Sequence, residues 1–248
     1  MREQDYKQMA DQERMNFWHV GRREILQEVL DRYLENKKNN EILEIGCGTG
    51  GNSLFLGCFG NVTGIDSSNV SIEFARKYDF SRLVQEDASS LSFLGNEFDL
   101  VAGLDVLEHI QDDETAIKET FRVLKQGGFF LITVPAYKFL WSHHDQALYH
   151  HRRYSKKELF AKLQAAGFQI VAHNRFAMLG VPFHFMHKIK EKIMHRKNIE
   201  QVLKTHNVNH HAIINKLLLW ILRLEKYLIR YIRLPFGTSI LVVAKKNR

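Results

Sequence analysis

The stretch Glu41-Ile-Leu-Glu-Ile-Gly-Cys-Gly-Thr-Gly50, continued by Gly51-Asn52, decides the fold. Ile42, Leu43 and Ile45 predict a short buried strand. Gly46, Gly48 and Gly50 predict a tight turn, because alternate glycines let the backbone take positive φ and approach a ligand closely. Asn52 to Leu56 can then open a helix, whose free N–H groups and positive dipole end face the same ligand. Asp66 lies 20 residues after Gly46, at the end of the apolar run Val62-Thr-Gly-Ile65. That is the register of the ribose-binding acid in a nucleotide-binding crossover.

Outward from this unit the same alternation repeats. Residues 11 to 36 read as one long helix, with Phe17, Val20, Ile25, Val29, Leu30 and Leu34 at helical spacing. Ser68 to Tyr78 reads as a helix, Arg82 to Asp87 as a third strand and Phe98 to Ala102 as a fourth. Asp112-Asp113-Glu114 opens a helix with acids at its positive end. Leu124-Lys-Gln-Gly-Gly128 ends that helix on glycine, Phe129 to Val134 is a fifth strand, and Pro135 closes it. Ser155 caps the helix Lys156 to Ala166, and Phe168 to Ala172 is a sixth strand. The last strand is Thr238 to Ala244. Repeated crossovers imply a parallel sheet with helices on both faces, and ligands at the strands' carboxyl ends. Gly46 to Gly50, Asp66, Asp87, Gly103 and Pro135 all fall at those ends.

The length, 248 residues, suits one α/β domain with elaborations, and 45% hydrophobic with 25% charged residues is a globular composition. No apolar run is long enough to span a bilayer, and the first residues lack a signal peptide's apolar core. Cys47 and Cys58 carry no metal spacing, so a reducing cytoplasm is the expected compartment. Charge is uneven. Residues 1–172 hold 20 Lys/Arg against 25 Asp/Glu, and residues 173–248 hold 15 against 3. The positive balance of the C-terminal third points to an anionic partner.

The glycines are spaced G-x-G-x-G, with Glu44 two residues before the first. This resembles the first motif of class I S-adenosylmethionine-dependent methyltransferases. Gly103-Leu-Asp-Val-Leu-Glu-His109-Ile resembles that family's fourth landmark, and Leu124-Lys-Gln-Gly-Gly128 with its apolar run and Pro135 resembles the fifth. The resemblance covers residues 40–172 and 238–244. It implies a doubly wound, Rossmann-like α/β fold of seven strands in the order 3-2-1-4-5-7-6, the last strand antiparallel. It implies S-adenosyl-L-methionine as cofactor and S-adenosyl-L-homocysteine as product. Its cofactor positions here are Glu44, Gly46, Gly48, Gly50, Asp66, Asp87, Ala88, Gly103, Leu104 and His109. For Asp87, capping of the next turn is the alternative reading.

Residues 136–154 follow the fifth strand and should roof the same pocket. Their aromatic and His-rich composition resembles the L-W-S-x-x-D…H-x-R-R-Y-S pattern of a bacterial methyltransferase group, with Tyr149 and His151 departing from its usual residues. On that match Trp141, Arg152, Arg153 and Tyr154 are substrate-contact candidates. His144, Asp145 and His150 are candidate bases for a hydroxyl acceptor. The alternative is that these residues knit the loop together. No metal site is assigned: His143, His144, His150 and His151 lack i, i+4 spacing and cysteine partners. Phe17 to Arg23 resembles a W-x-x-G/A-R-R element beside the cofactor mouth, or packs as a surface helix.

The division expected is an N-terminal helical segment over 1–39, a core over 40–172 and 238–248, and an insert over 173–237. Ile213 to Ile232 is apolar, with cations at 216, 223, 226, 230 and 233 near one face. An apolar face beside a basic stripe reads as an interfacial helix, and a cap or homodimer interface is the alternative. The functional expectation is methyl transfer, to oxygen rather than nitrogen or carbon, on a small or lipid-linked metabolite. The protein would be cytoplasmic, with peripheral contact at the inner face of the membrane as one option, and with no nucleic-acid partner. The rivals are an inactive cofactor-binding scaffold acting through its basic insert, and another nucleotide-cofactor enzyme on a Rossmann-like fold.

Overall fold

The computed structural model describes residues 10, 12–34, 39–194 and 212–247. The expected insert over 173–237 therefore lies partly outside the described residues. Seven strands form one sheet: β1 Asn40–Ile45, β2 Gly60–Asp66, β3 Arg82–Gln85, β4 Phe98–Leu104, β5 Leu124–Pro135, β6 Phe168–Phe176 and β7 Ser239–Lys246. Their order is β3-β2-β1-β4-β5-β7-β6. The first five pair in parallel, and β7 enters antiparallel between β5 and β6. Fold and strand order are those expected.

The helices are α1 Phe17–Leu30, α2 Ser53–Leu56, α3 Asn69–Ala75, α4 Asp113–Val123, α5 His143–Ala147, α6 Lys156–Ala165, α7 Gly180–Met194 and α8 Ala212–Tyr231. Alternation along the strands divides the core in two. Leu43, Ile45, Val101, Phe130 and Ile132 pack with Ala116 and Ile117 of α4 and Leu159 and Leu163 of α6. Ile42, Leu100, Ala102, Leu131 and Val243 pack with Ile25, Leu26 and Leu30 of α1 and Leu222 and Ile229 of α8. Glu44 shares the parity of Ile42, so its carboxyl points towards the α1 face.

Several expected boundaries shift. The N-terminal helix is broken at Asn16, whose extended backbone and side chain cap α1 by accepting from the Trp18 N–H. Leu124, already extended, ends α4, and β5 begins there; Gly127, at positive φ, lies inside the strand, not at the helix end. β6 runs to Phe176, because His173, Asn174, Arg175 and Phe176 keep pairing with β7. The segment between the last two strands is therefore shorter than 173–237. Gly21 lets α8 approach α1 closely, since a Cβ there would lie 2.6 Å from Leu222.

Candidate active site

The glycine loop is built by backbone necessity. Gly46, Gly48 and Gly50 all have positive φ. A Cβ on Gly46 would sit 2.2 Å from Val106, so β1 can turn under the end of β4 only with glycine there. Asp66 braces the turn: one carboxylate oxygen accepts from the Gly48 N–H at 3.0 Å and the other from the Ser68 N–H at 2.9 Å. Each oxygen keeps a second lone pair for a ligand hydroxyl. Cys47 is buried, and burial pushes its thiol well above the ordinary range, so it is no nucleophile.

A polar chain crosses this loop. Glu44 is fully buried. One of its oxygens accepts from Asn52 Nδ2 at 2.8 Å, while Oε2 has no partner. Burial pushes its carboxyl up to about 8, against the lowering effect of Asn52. Arg22 of α1 donates to Asn52 Oδ1 at 3.2 Å and pairs with Asp105. Asp105 follows β4 at a φ of 54°. Glu13, also buried, accepts from Thr49 Oγ1 at 2.5 Å and from the Gly51 N–H at 3.1 Å. The Phe17–Arg23 segment packs on the sheet as part of α1 and brings Arg22 to Asn52 and Asp105. The sequence reading missed Glu13, Arg22, Asn52 and Asp105 as individual site residues. Their partners are too distant in the chain for local spacing to reveal, although the Gly-Arg-Arg segment pointed at the helix.

Other expected cofactor positions fall at the same edge. Gly103, one residue before the end of β4, leaves little room for a side chain, a Cβ there lying 3.2 Å from Phe130, and Leu104 beside it is buried. Ala88 is buried, and exposed Asp87 accepts from the Ser89 N–H at 2.8 Å, the capping role. His109 closes a one-turn helix, Leu107–His109, after β4. Although the residue is partly exposed, loss of water around the ring and the neighbouring His150 push its imidazole down to about 4.

The loop after β5 is more structural than its composition suggested. Asp145 is fully buried. It holds the α5 N-terminus through the Ser142 N–H at 2.9 Å, Arg153 Nε at 2.7 Å and His150 Nδ1 at 3.0 Å. Burial opposes ionisation, but the His150 and Arg153 hydrogen bonds keep its carboxyl well below the usual range. Asp145 thus positions other groups and cannot itself reach an acceptor. Arg153, expected to contact substrate, is buried against Asp145 and the Ala136 carbonyl. Tyr154 is fully buried, its hydroxyl donating to Asp113 at 2.6 Å. Arg152 pairs with Asp113 at 2.5 Å. Trp141 is half-buried, and the His144 ring lies 6.3 Å from that of His184 on α7. His150 meets His109 edge to face, ring centres 4.6 Å apart.

A cavity of about 280 Å³ lies at the end of β5, lined by Tyr137, Phe139, Lys156 and Arg175 among others. A second, of about 250 Å³, shares Lys156 and Arg175 and adds His173 and Arg233. Arg152 and Arg153, the substrate-contact candidates, pair with Asp113 and Asp145, whereas Lys156, Arg175 and Arg233 line this groove.

Residues 43–132 match the methyltransferase domain family. Over that span, little more than a third of the chain, the sequence is similar to methyltransferase domains. A protein of Mycolicibacterium smegmatis named "Probable S-adenosylmethionine-dependent methyltransferase" is 29% identical over 159 residues, 62% of this chain and 60% of that protein. A demethylmenaquinone methyltransferase of Staphylococcus aureus is 34% identical over 120 residues, 43% of this chain and 50% of that protein. The chain thus spans little more than half the length of these curated relatives. A solved structure of Haemonchus contortus phosphoethanolamine N-methyltransferase 2 in complex with S-adenosyl-L-methionine superposes with a TM-score of 0.58 at 20% identity. That match covers 90% of this chain and 53% of the other. The matched span, residues 43–132, contains the glycine loop together with Glu44, Asp66 and Asp105.

Proposed function

We propose that this protein is an S-adenosylmethionine-dependent methyltransferase acting on a small or lipid-linked acceptor, with transfer to oxygen preferred. The observation that carries the reading is the set of carboxyl groups, Glu44, Asp66 and Asp105, gathered around the glycine loop, with a buried Glu44 oxygen left unpartnered. These residues fit a cofactor with an ammonium, a sulfonium and ribose hydroxyls. Asp105 beside the loop disfavours the pyrophosphate of a dinucleotide. Asp66 would take the ribose hydroxyls, the Gly46–Gly50 backbone and Asp105 the ammonium end, and Arg22 the carboxylate. When bound, the cofactor supplies a methyl group already activated for displacement.

What remains for the chain is alignment and proton removal. His150 donates through Nδ1 to Asp145, which leaves Nε2 as the nitrogen with a free lone pair. That lone pair can take a hydroxyl acceptor's proton or hold a cation that acidifies it; both uses need the same tautomer. The groove with Lys156, Arg175 and Arg233 suits an acceptor bearing phosphate or carboxylate.

A lipid-like acceptor is favoured by the insert. Leu217, Trp220, Leu224, Tyr227 and Tyr231 form an exposed stripe on α8, and Phe183 and Met186 are exposed on α7. Aromatic and aliphatic side chains in such a stripe suit the surface of a bilayer. No helix among the described residues is long and apolar enough to cross one. The likeness to a demethylmenaquinone methyltransferase points the same way. The test is transfer of isotopically labelled methyl from the cofactor into solvent-extractable material, with Asp66→Ala as control. Label in the extract that the variant loses supports the reading; label appearing equally with the variant overturns it.

A further inference from the structure

We propose that Glu108, His109 and His150 form a binding site for one divalent transition-metal ion. Each residue offers a ligand atom, and the three atoms lie within 4.8 Å of one another. The sequence reading assigned no metal. The four-histidine cluster it weighed is also a different set, because His143, His144 and His151 take no part here.

Three features distinguish the trio from a chance meeting of polar groups. The first is orientation of an imidazole from behind. His150 Nδ1 is hydrogen-bonded to the buried carboxylate of Asp145. A histidine that ligates a metal almost always uses its second ring nitrogen in this way, and the partner fixes which nitrogen faces the ion. Asp145 is itself fixed by Arg153 and the Ser142 N–H.

The second is an unsatisfied acid. Glu108 is 1% exposed, and its Oε2 has no hydrogen-bond partner. A buried carboxyl oxygen left unpaired is unfavourable, and a coordinated cation would satisfy it. The third is rigidity. The two segments that carry the ligands are stitched together: the His151 N–H donates to the Glu108 carbonyl at 2.7 Å, and Arg152 Nη2 donates to the Gln111 carbonyl at 2.7 Å. The Leu107–His109 turn and residues 145–153 therefore hold the three side chains together without help from the ion.

Two imidazoles and one carboxylate select zinc, cobalt, nickel or ferrous iron over magnesium and calcium, which prefer oxygen alone. Three protein ligands leave further positions for water or for an oxygen of the acceptor. The inference does not rest on methyl transfer, since neither the ligands nor their supports belong to the glycine loop.

The test uses the full chain stripped with a chelator and titrated with cobalt(II), followed by visible absorption and calorimetry. One ion per chain with the intense bands of low-coordinate cobalt is expected. His109→Ala and Glu108→Gln should each weaken binding at least tenfold with unchanged circular dichroism, while His143→Ala binds like the parent. His109 lies at the rim, so its variant keeps the question open to test even if Glu108→Gln fails to fold. Absence of stoichiometric binding, or binding undiminished by His109→Ala, would overturn the site. Either failure leaves cofactor binding, measured separately, untouched.

Discussion

At the scale of single residues, Glu44 is the most consequential side chain at the mouth. It is buried on the α1 face of β1, hydrogen-bonded to Asn52, and stays protonated up to about pH 8. In the unfolded chain its ordinary value is 4.5. Between those two values the unfolded state releases a proton that the folded state keeps, so stability falls as pH rises through this window. Glu44→Gln should remove its share of that fall, leaving the remainder to other buried acids such as Glu13 and Glu225. Melting temperatures at pH 5 and pH 8 check this; an unchanged slope would contradict it. Gly46 is constrained by sterics instead. Gly46→Ala forces a side chain into positive φ against Val106, and a stability loss of more than about 1 kcal/mol is expected on denaturant unfolding.

At the scale of elements, α8 is fixed to the rest of the chain by a buried acid. Glu225 accepts from the Ala177 N–H at 2.6 Å and the Met178 N–H at 2.8 Å, just after β6. Glu225→Ala would leave two buried donors unpaired, at about 1–3 kcal/mol each. Chemical denaturation should show a loss of that order; a loss near zero would mean that water replaces the carboxylate. The elements also show how far the sequence was legible. The glycine turn and Asp66 could be read because they rest on local spacing and on a backbone demand that glycine alone meets, whereas the strand order came from the family resemblance. Asp145, Arg153 and Tyr154 misled because polar residues beside a pocket serve equally well as buried struts. Only tertiary burial separates the two uses. Arg22 and Asp105 meet across 83 residues, and no local pattern records such a pair. The basic stripe of α8 was correctly located and differently employed: Arg223 and Lys226 pair with Glu24, and Arg230 with Glu28, all on α1.

At the scale of the whole molecule, that pairing changes what the C-terminal third should do. With three of its cations engaged by α1, the exposed stripe of α8 is chiefly apolar. Vesicle binding should then persist in high salt, where a charge-driven contact would be screened away. Trp220→Ala, at a position 57% exposed, should weaken vesicle sedimentation severalfold without altering the fold. No sedimentation at any salt would remove the lipid-surface reading. The turn of three glycines and the acids beside it are the proposed seat of S-adenosyl-L-methionine. Calorimetric titration with S-adenosylhomocysteine, with NAD as control, tests it most directly. Micromolar, one-to-one binding of the first and none of the second is predicted. Binding of NAD instead, or of neither, would contradict it.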